Sequence, residues 1–341
     1  MFKNLYSGKS FAIDLGNNNT LVTDKNNILL DQPSYIVIDN DNQSVKAVGE
    51  EAYDMFEKTH HNLKTVRPLK GGVIADYDSA HKMVKALVEK AYPGKSIFSG
   101  YDSIICGVPF YTTEVERRAL RDALEQFNSS NIFLLYEPIA AAIGIGLDIT
   151  QPDGQFLIDI GGGLTEVVVI SLSGVVSFQS LRVAGNDFDE EIQEYFRRTY
   201  NLSIGLKTAE QIKIQAGAAI ENIKEKPEPF QVVGKDLITG IPVMRLIDHV
   251  EVAAILDIPL SKIELTILQA LENCPPELAG DIYGNGVYLT GGGSLLRGVK
   301  ERLEAKIKLK VHHDEEPFFS VSKGISKVLN DPDRYKAVLF K

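Results

Sequence analysis

Cysteine is scarce, basic charge is in deficit, and long apolar runs are missing from this 341-residue chain. Only Cys106 and Cys274 occur, in separate parts of the sequence, so a disulfide framework is not expected and a reducing cytosol is the natural setting. Lys and Arg number 36 against 46 Asp and Glu, a net charge of −10, and the basic residues are dispersed. A nucleic-acid groove depends on clustered cations neutralising phosphates, so no nucleic-acid partner is expected. No segment approaches the roughly 20 consecutive apolar residues of a membrane-spanning helix. The opening MFKNLYSGKS also lacks the apolar stretch of a secretion signal. Low-complexity tracts and long linkers are absent, which favours a compact chain.

What is present is the composition of a globular protein, 44% apolar and 24% charged. The chain is too long for one ordinary core, so two domains or lobes are expected. An internal echo supports two halves. "AIDLGNNNTLV" (12–22) and "LIDIGGGLTEV" (157–167) align Asp14 with Asp159, Gly16 with Gly161 and Thr20 with Thr165, each pair 145 positions apart. Each copy reads as strand, tight turn, strand, because short apolar runs flank the turn residues. Amphipathic helices are expected over 113–127, with Val115, Leu120, Leu124 and Phe127 on one face, and over 187–201, acidic at its start and basic at its end. Further helices are expected over 137–148, rich in small residues suited to close packing, over 207–220 and over 293–307. Strands alternating with helices favour an α/β architecture.

The chemistry concentrates at the echoed turns. Backbone N–H groups of a tight glycine turn form a concave anion site, and an Asp just before it can hold Mg²⁺ through water. A single such hairpin is more often an ordinary turn; two matched copies favour phosphate. "GGGSLLRGVK" (291–300) has no Lys-Ser/Thr of a P-loop, and "GIG" (144–146) lacks the third glycine of a dinucleotide fingerprint. "VYLTGGGSLLRGV" (287–299) instead offers a strand and glycine turn against which a flat base fits, or a plain connection. Glu137, beside Pro138 at a helix start, either complements the helix dipole or orients a water for attack on a terminal phosphate. Glu210 and Lys213 either pair along one helix face or reach a ribose. The adjacent pairs His60-His61 and His312-His313 lack companions at ligand spacing, so no zinc is expected. No Ser-His-Asp or Cys-His arrangement stands out.

Taken with "VRPLKGGVIADYDSA", "GVPFYTTEVERRAL", "YEPIAAAIGIGLDI", "TAEQIK" and "YLTGGGSLLRG", the two hairpins resemble the MreB family of bacterial actin homologues. The segments fall in that family's order across essentially the whole chain. The resemblance implies the actin-like ATPase fold shared with chaperone ATPases and sugar kinases. Two lobes, each built on a ribonuclease H-like mixed sheet with flanking helices, then hold a nucleotide in the cleft between them. Lobe I is expected over 1–147 plus 322–341, with a small subdomain at about 32–66. Lobe II is expected over 148–321, with a small subdomain at about 182–243.

By the same resemblance, Asn17, Asn18 and Asn19 form the first phosphate loop, and Gly161, Gly162, Gly163 and Leu164 the second. Glu210, Gln211, Ile212 and Lys213 face ribose and base, and Thr290, Gly291, Gly292 and Gly293 lie beside the adenine. Asp14 and Asp159 organise Mg²⁺ with ATP or ADP, and Glu137 orients the attacking water. Two departures stand out. The first loop reads Asn-Asn-Asn where Thr-Ala-Asn is usual. Leu164 replaces the Thr whose hydroxyl helps position the water, which implies at most a slow ATPase.

Polymerisation with further copies of the chain into paired protofilaments is implied, at the inner membrane face and with the cell-wall elongation machinery as partner. Ile97 and Phe98 are the residues expected to insert into the membrane, and Phe2, Leu5 and Tyr6 add a weak anchor. The location implied is cytoplasmic and peripheral to the membrane, and the role is in rod cell shape. A small-molecule kinase of the same superfamily needs a general base beside an acceptor pocket, and neither is assignable. A chaperone-type ATPase needs a further peptide-binding domain.

Overall fold

The computed structural model describes residues 10–94 and 100–341. Ile97 and Phe98, like Phe2, Leu5 and Tyr6, lie outside the described residues. The chain divides into two compact units, Met1–Gln151 with Leu172–Gly174 and Phe319–Lys341, and Pro152–Ser171 with Val175–Phe318.

The first unit is built on a five-stranded mixed sheet in the order Ser129–Tyr136, Tyr101–Val108, Phe11–Leu15, Asn19–Thr23, Ile28–Pro33. The first three strands run parallel and the last two pairings are antiparallel. The expected hairpin forms with Ile13 opposite Val22 and Asp14 opposite Leu21. An added Cβ at Gly16 would lie 2.7 Å from the Asn19 carbonyl oxygen, so the turn closes only over a glycine. Phe11 anchors the core, with the rings of Tyr101 and Phe127 edge-on at 4.8 and 5.7 Å. Helices Tyr77–Ala91 and Glu114–Glu125 cover the sheet with Met83, Leu87, Leu120 and Leu124.

The second of these helices starts at a capping box. Glu116 N donates to Thr113 Oγ1 at 3.2 Å, and Thr113 N donates to Glu116 Oε2 at 2.7 Å. Val115 is not on the buried face as expected: it is 78% exposed. At 100° per residue, nine positions place it about 180° from Leu124. A small antiparallel sheet of Val45–Val48, Ile36–Asp39 and Leu63–Val66, with helix Glu50–Met55, completes the unit.

The second unit repeats the plan. Its sheet runs Gly174–Leu181, Thr165–Ser171, Gln155–Ile160, Val287–Thr290, Val311–His313. Gln155–Ile160 pairs antiparallel with Thr165–Ser171 and parallel with Val287–Thr290. In both sheets the first hairpin strand is therefore central, with its partner on one side and two parallel strands on the other. Phe188, Ile192 and Phe196 of helix Gly185–Tyr200 pack on Ile158 and Val167. Arg197 and Arg198 close that helix on Glu194 at 2.6 and 2.5 Å.

Two features depart from the sequence reading. Helix His249–Glu272, the longest here, carries a buried Pro259 and an apolar character that hides its period. The segment 293–307 is not one helix: a 3₁₀ turn at Gly292–Leu295 precedes the α-helix Val299–Ile307. Gly298, at φ 77°, separates them in the left-handed region.

The small-residue helix Glu137–Gly144 packs backbone to backbone on Ser320–Asn330. A Cβ on Gly324 would lie 1.7 Å from the Ala140 carbonyl oxygen, and one on Gly144 1.9 Å from that of Ser320. Lys327 Nζ then donates to the Ile143 and Gly144 carbonyls at 3.0 and 2.9 Å, closing the helix end. Gly324→Ala should therefore lower stability by about 1–3 kcal/mol in thermal unfolding. Gly280→Ala, where a Cβ meets nothing within 4 Å, should be neutral or slightly stabilising. Equal melting temperatures for the two variants would defeat the packing argument.

Candidate functional site

In the first unit the turn between the hairpin strands is held from behind. Ser34 Oγ donates to the Gly16 carbonyl and Ser34 N to the Asn18 carbonyl, each at 2.7 Å, and Thr20 Oγ1 lies 2.9 Å from Ser34 Oγ. The three asparagines are each engaged. Gly72 N donates to Asn17 Oδ1 at 3.2 Å, Arg67 Nη2 donates to Asn18 Oδ1 at 2.8 Å, and Asn19 Nδ2 donates to Asp31 Oδ1 at 2.7 Å. The Asn17 and Asn18 side-chain oxygens thus help shape the turn, and the backbone N–H groups of Asn17 and Asn18 meet no acceptor among the described residues.

Asp14, Gly107 and Glu137 sit at the same end of three adjacent strands. A Cβ on Gly107 would come within 3.3 Å of Glu137 Cγ, so its absence makes room for that side chain. Behind them the Cys106 thiol is pushed well above its ordinary range, first by burial and then by the charges of Glu137 and Asp14. Both carboxylates bear on one spot of the sheet.

In the second unit the turn Gly161–Leu164 closes through Gly161 N donating to the Leu164 carbonyl at 2.9 Å. Gly185 N and Asn186 N, at the start of helix Gly185–Tyr200, donate to the Gly161 and Gly162 carbonyls at 3.1 and 2.7 Å. These contacts consume carbonyls and leave the N–H groups of Gly162 and Gly163 without an acceptor among the described residues. Leu164 is half-buried and brings no donor or acceptor. The turn Thr290–Gly293 lies directly on this hairpin: a Cβ on Gly291 would lie 2.2 Å from Asp159 Oδ1, and one on Gly293 2.4 Å from Ile160 Cγ2.

Asp159 has no hydrogen-bond or ion-pair partner among the described residues. Part of its side chain reaches solvent, yet the atoms crowded round the carboxyl strip enough water to push it up to about 6. Lys213 is engaged within the second unit. Its ammonium lies 2.8 Å from the buried Asp189 carboxylate and donates to the Gly185 carbonyl at 2.9 Å. Glu210 is half-buried and Gln211 exposed on the same helix, Leu206–Ala216, while Ile212 points into the core.

The sequence-predicted residues therefore gather in two sets. One holds Asp14, Asn17–Asn19 and Glu137; the other holds Asp159, Gly161–Leu164, Lys213 and Thr290–Gly293. Arg67, Gly72, Gly107, Gly185 and Asp189 join these sets without having been singled out. Their signal was faint: the Gly-Gly of "PLKGGV" marks a special backbone, with Gly72 at φ 77°, and the others become neighbours only through the fold.

Residues 8–337 match the family model described as MreB/Mbl protein. The chain is 39% identical over 344 residues to the cell shape-determining protein MreB of Escherichia coli K12, covering 99% of this chain and 98% of that one. Identity to the cell shape-determining protein Mbl of Bacillus subtilis is 38% over 327 residues, covering 96% and 97%. The crystal structure of MreB5 of Spiroplasma citri bound to AMPPNP superimposes with TM-score 0.91 at 32% identity, covering 97% of this chain and 98% of that one. The double-helical filament of MamK shares the fold, with TM-score 0.76 at 20% identity over 94% and 99%. Paired sheets, matched hairpins and full-length similarity converge: the chain belongs to the MreB/Mbl family of actin-like proteins.

Proposed function

We propose that this chain is an ATP-binding filament protein that polymerises at the inner face of the membrane and helps set rod cell shape by organising wall synthesis. One observation carries the nucleotide reading: each hairpin turn follows an Asp-bearing strand and presents two N–H groups with no acceptor in the described chain. Such turns are anion cradles. The cell-shape role follows from relatives named for it, and the nucleotide from solved relatives bound to AMPPNP and ADP. In the purified protein, Mg²⁺ and ATP should produce filaments, bound to liposomes when these are present, in electron micrographs. Their absence at all protein concentrations would refute the proposal.

The residues also fit Mg²⁺. Asp159 is desolvated and unpaired, a carboxylate whose charged form waits for a cation. Bound with the phosphates, the ion would supply charge neutralisation there, with Asp159 holding it through its waters. Because the folded value of about 6 exceeds the ordinary 3.8, the native protein binds more protons than the unfolded chain between about pH 4 and 6. Stability should fall as pH rises through that window, with the full penalty, on the order of 3 kcal/mol, reached above it. Without nucleotide, Asp159→Asn should melt higher than wild type at pH 7.5, with the advantage shrinking towards pH 4. A gap independent of pH would show that desolvation is not the cause.

Glu137 is left as the only assigned group to orient the attacking water, since Leu164 brings neither donor nor acceptor. Slow turnover follows, and filaments should persist with ATP. Leu164→Thr should raise phosphate release by roughly 10²-fold. Identical release rates from the two proteins would reject the role assigned to this position.

A further inference from the structure

The guanidinium of Arg67 is held on the first phosphate loop by two contacts within the first unit. Nη2 donates to Asn18 Oδ1 at 2.8 Å, and the group lies over the Tyr35 ring, 5.4 Å from its centroid. No carboxylate pairs with it among the described residues. An Arg fixed but not neutralised is notable in a chain of net charge −10. The contrast with the second unit is direct. There the Lys213 ammonium beside the other glycine turn is already balanced by the buried Asp189. Asn18 occupies one of the positions where this chain departs from the usual loop, and an alanine there offers no acceptor for Arg67.

We propose that Arg67 is a phosphate-binding residue, a cation that Asn18 and Tyr35 hold in place for the nucleotide's phosphate chain. The inference rests on the nucleotide reading above. A guanidinium has five donors in a fixed fork, and one committed to Asn18 leaves others for phosphate oxygens. The backbone N–H groups of the turn then supply direction and Arg67 supplies charge. The planar fork suits Arg more than Lys, and the Tyr35 ring beneath it adds a cation–π contact that helps hold the guanidinium in place.

Binding of ADP and AMPPNP with Mg²⁺ to the full chain should be measured by titration calorimetry at several salt concentrations. Arg67→Ala should weaken both ligands about 10-fold and flatten the salt dependence, because one screened charge contact is gone. Arg67→Lys should keep the salt dependence and recover part of the affinity. Asn18→Ala should fall between wild type and Arg67→Ala, because the cation remains but is no longer oriented. Wild-type affinity in Arg67→Ala would overturn the inference while leaving nucleotide binding intact. Equal weakening in Arg67→Ala and Arg67→Lys with an unchanged salt dependence would also overturn it, assigning Arg67 to loop structure. Failure of the wild type to bind either nucleotide would remove the underlying reading as well.

Discussion

The structure turns on a backbone constraint: two tight turns whose N–H groups point outward with no acceptor in the described chain. A turn that close cannot carry a side chain at its first glycine, as the 2.7 Å approach of a Gly16 Cβ to the Asn19 carbonyl shows. Carbonyls of both turns are claimed, those of Gly16 and Asn18 by Ser34 in one unit and those of Gly161 and Gly162 by the start of helix Gly185–Tyr200 in the other. Fixing the carbonyls fixes the direction of the N–H groups, so orientation is settled before any ligand arrives. The sheets serve the same end. In each, the hairpin begins on the central strand, where flanking strands and a buried core leave its end no freedom to drift.

The second unit adds a third segment through contact rather than hydrogen bonding. Gly291 and Gly293 let the chain lie against Asp159 and Ile160, at distances that any Cβ would forbid. The same crowding desolvates Asp159 and raises its carboxyl to about 6. Close packing and an electrostatically costly carboxylate thus have one cause. The ammonium of Lys213 is committed to Asp189 and makes no ion pair with Asp159.

What was legible in the sequence had short range or exact repetition. Asp14 and Asp159, with their glycines, were readable because the motif occurs twice, and Glu137 because a proline follows it at a helix start. Arg67 was not, since 49 positions separate it from Asn18 and only the fold makes them neighbours. Lys213 was placed on the correct helix, but its ion pair with Asp189 was not visible, because Asp189 lies 24 residues away on another element. Helix His249–Glu272 escaped notice because its exposed positions include Val250, Ile258 and Leu265, which blur the polar stripe that periodicity detects. Val115 failed for a simpler reason: its spacing was approximately helical but its angle was wrong.

These observations connect the site to stability. Unsatisfied donors and a desolvated carboxylate are tolerable only where a ligand repays them, which concentrates local cost at the functional turns. A ligand that binds only the folded state stabilises it by RT ln(1 + [L]/Kd), about 4 kcal/mol at a thousandfold excess over Kd. That is comparable with the roughly 3 kcal/mol attributed to Asp159 above pH 6. On the proposed reading, nucleotide occupancy and folding are therefore coupled through the same few atoms. If the chain polymerises as proposed, a subunit with its nucleotide bound would present fixed turns, and slow hydrolysis in the absence of a hydroxyl at Leu164 would prolong that state.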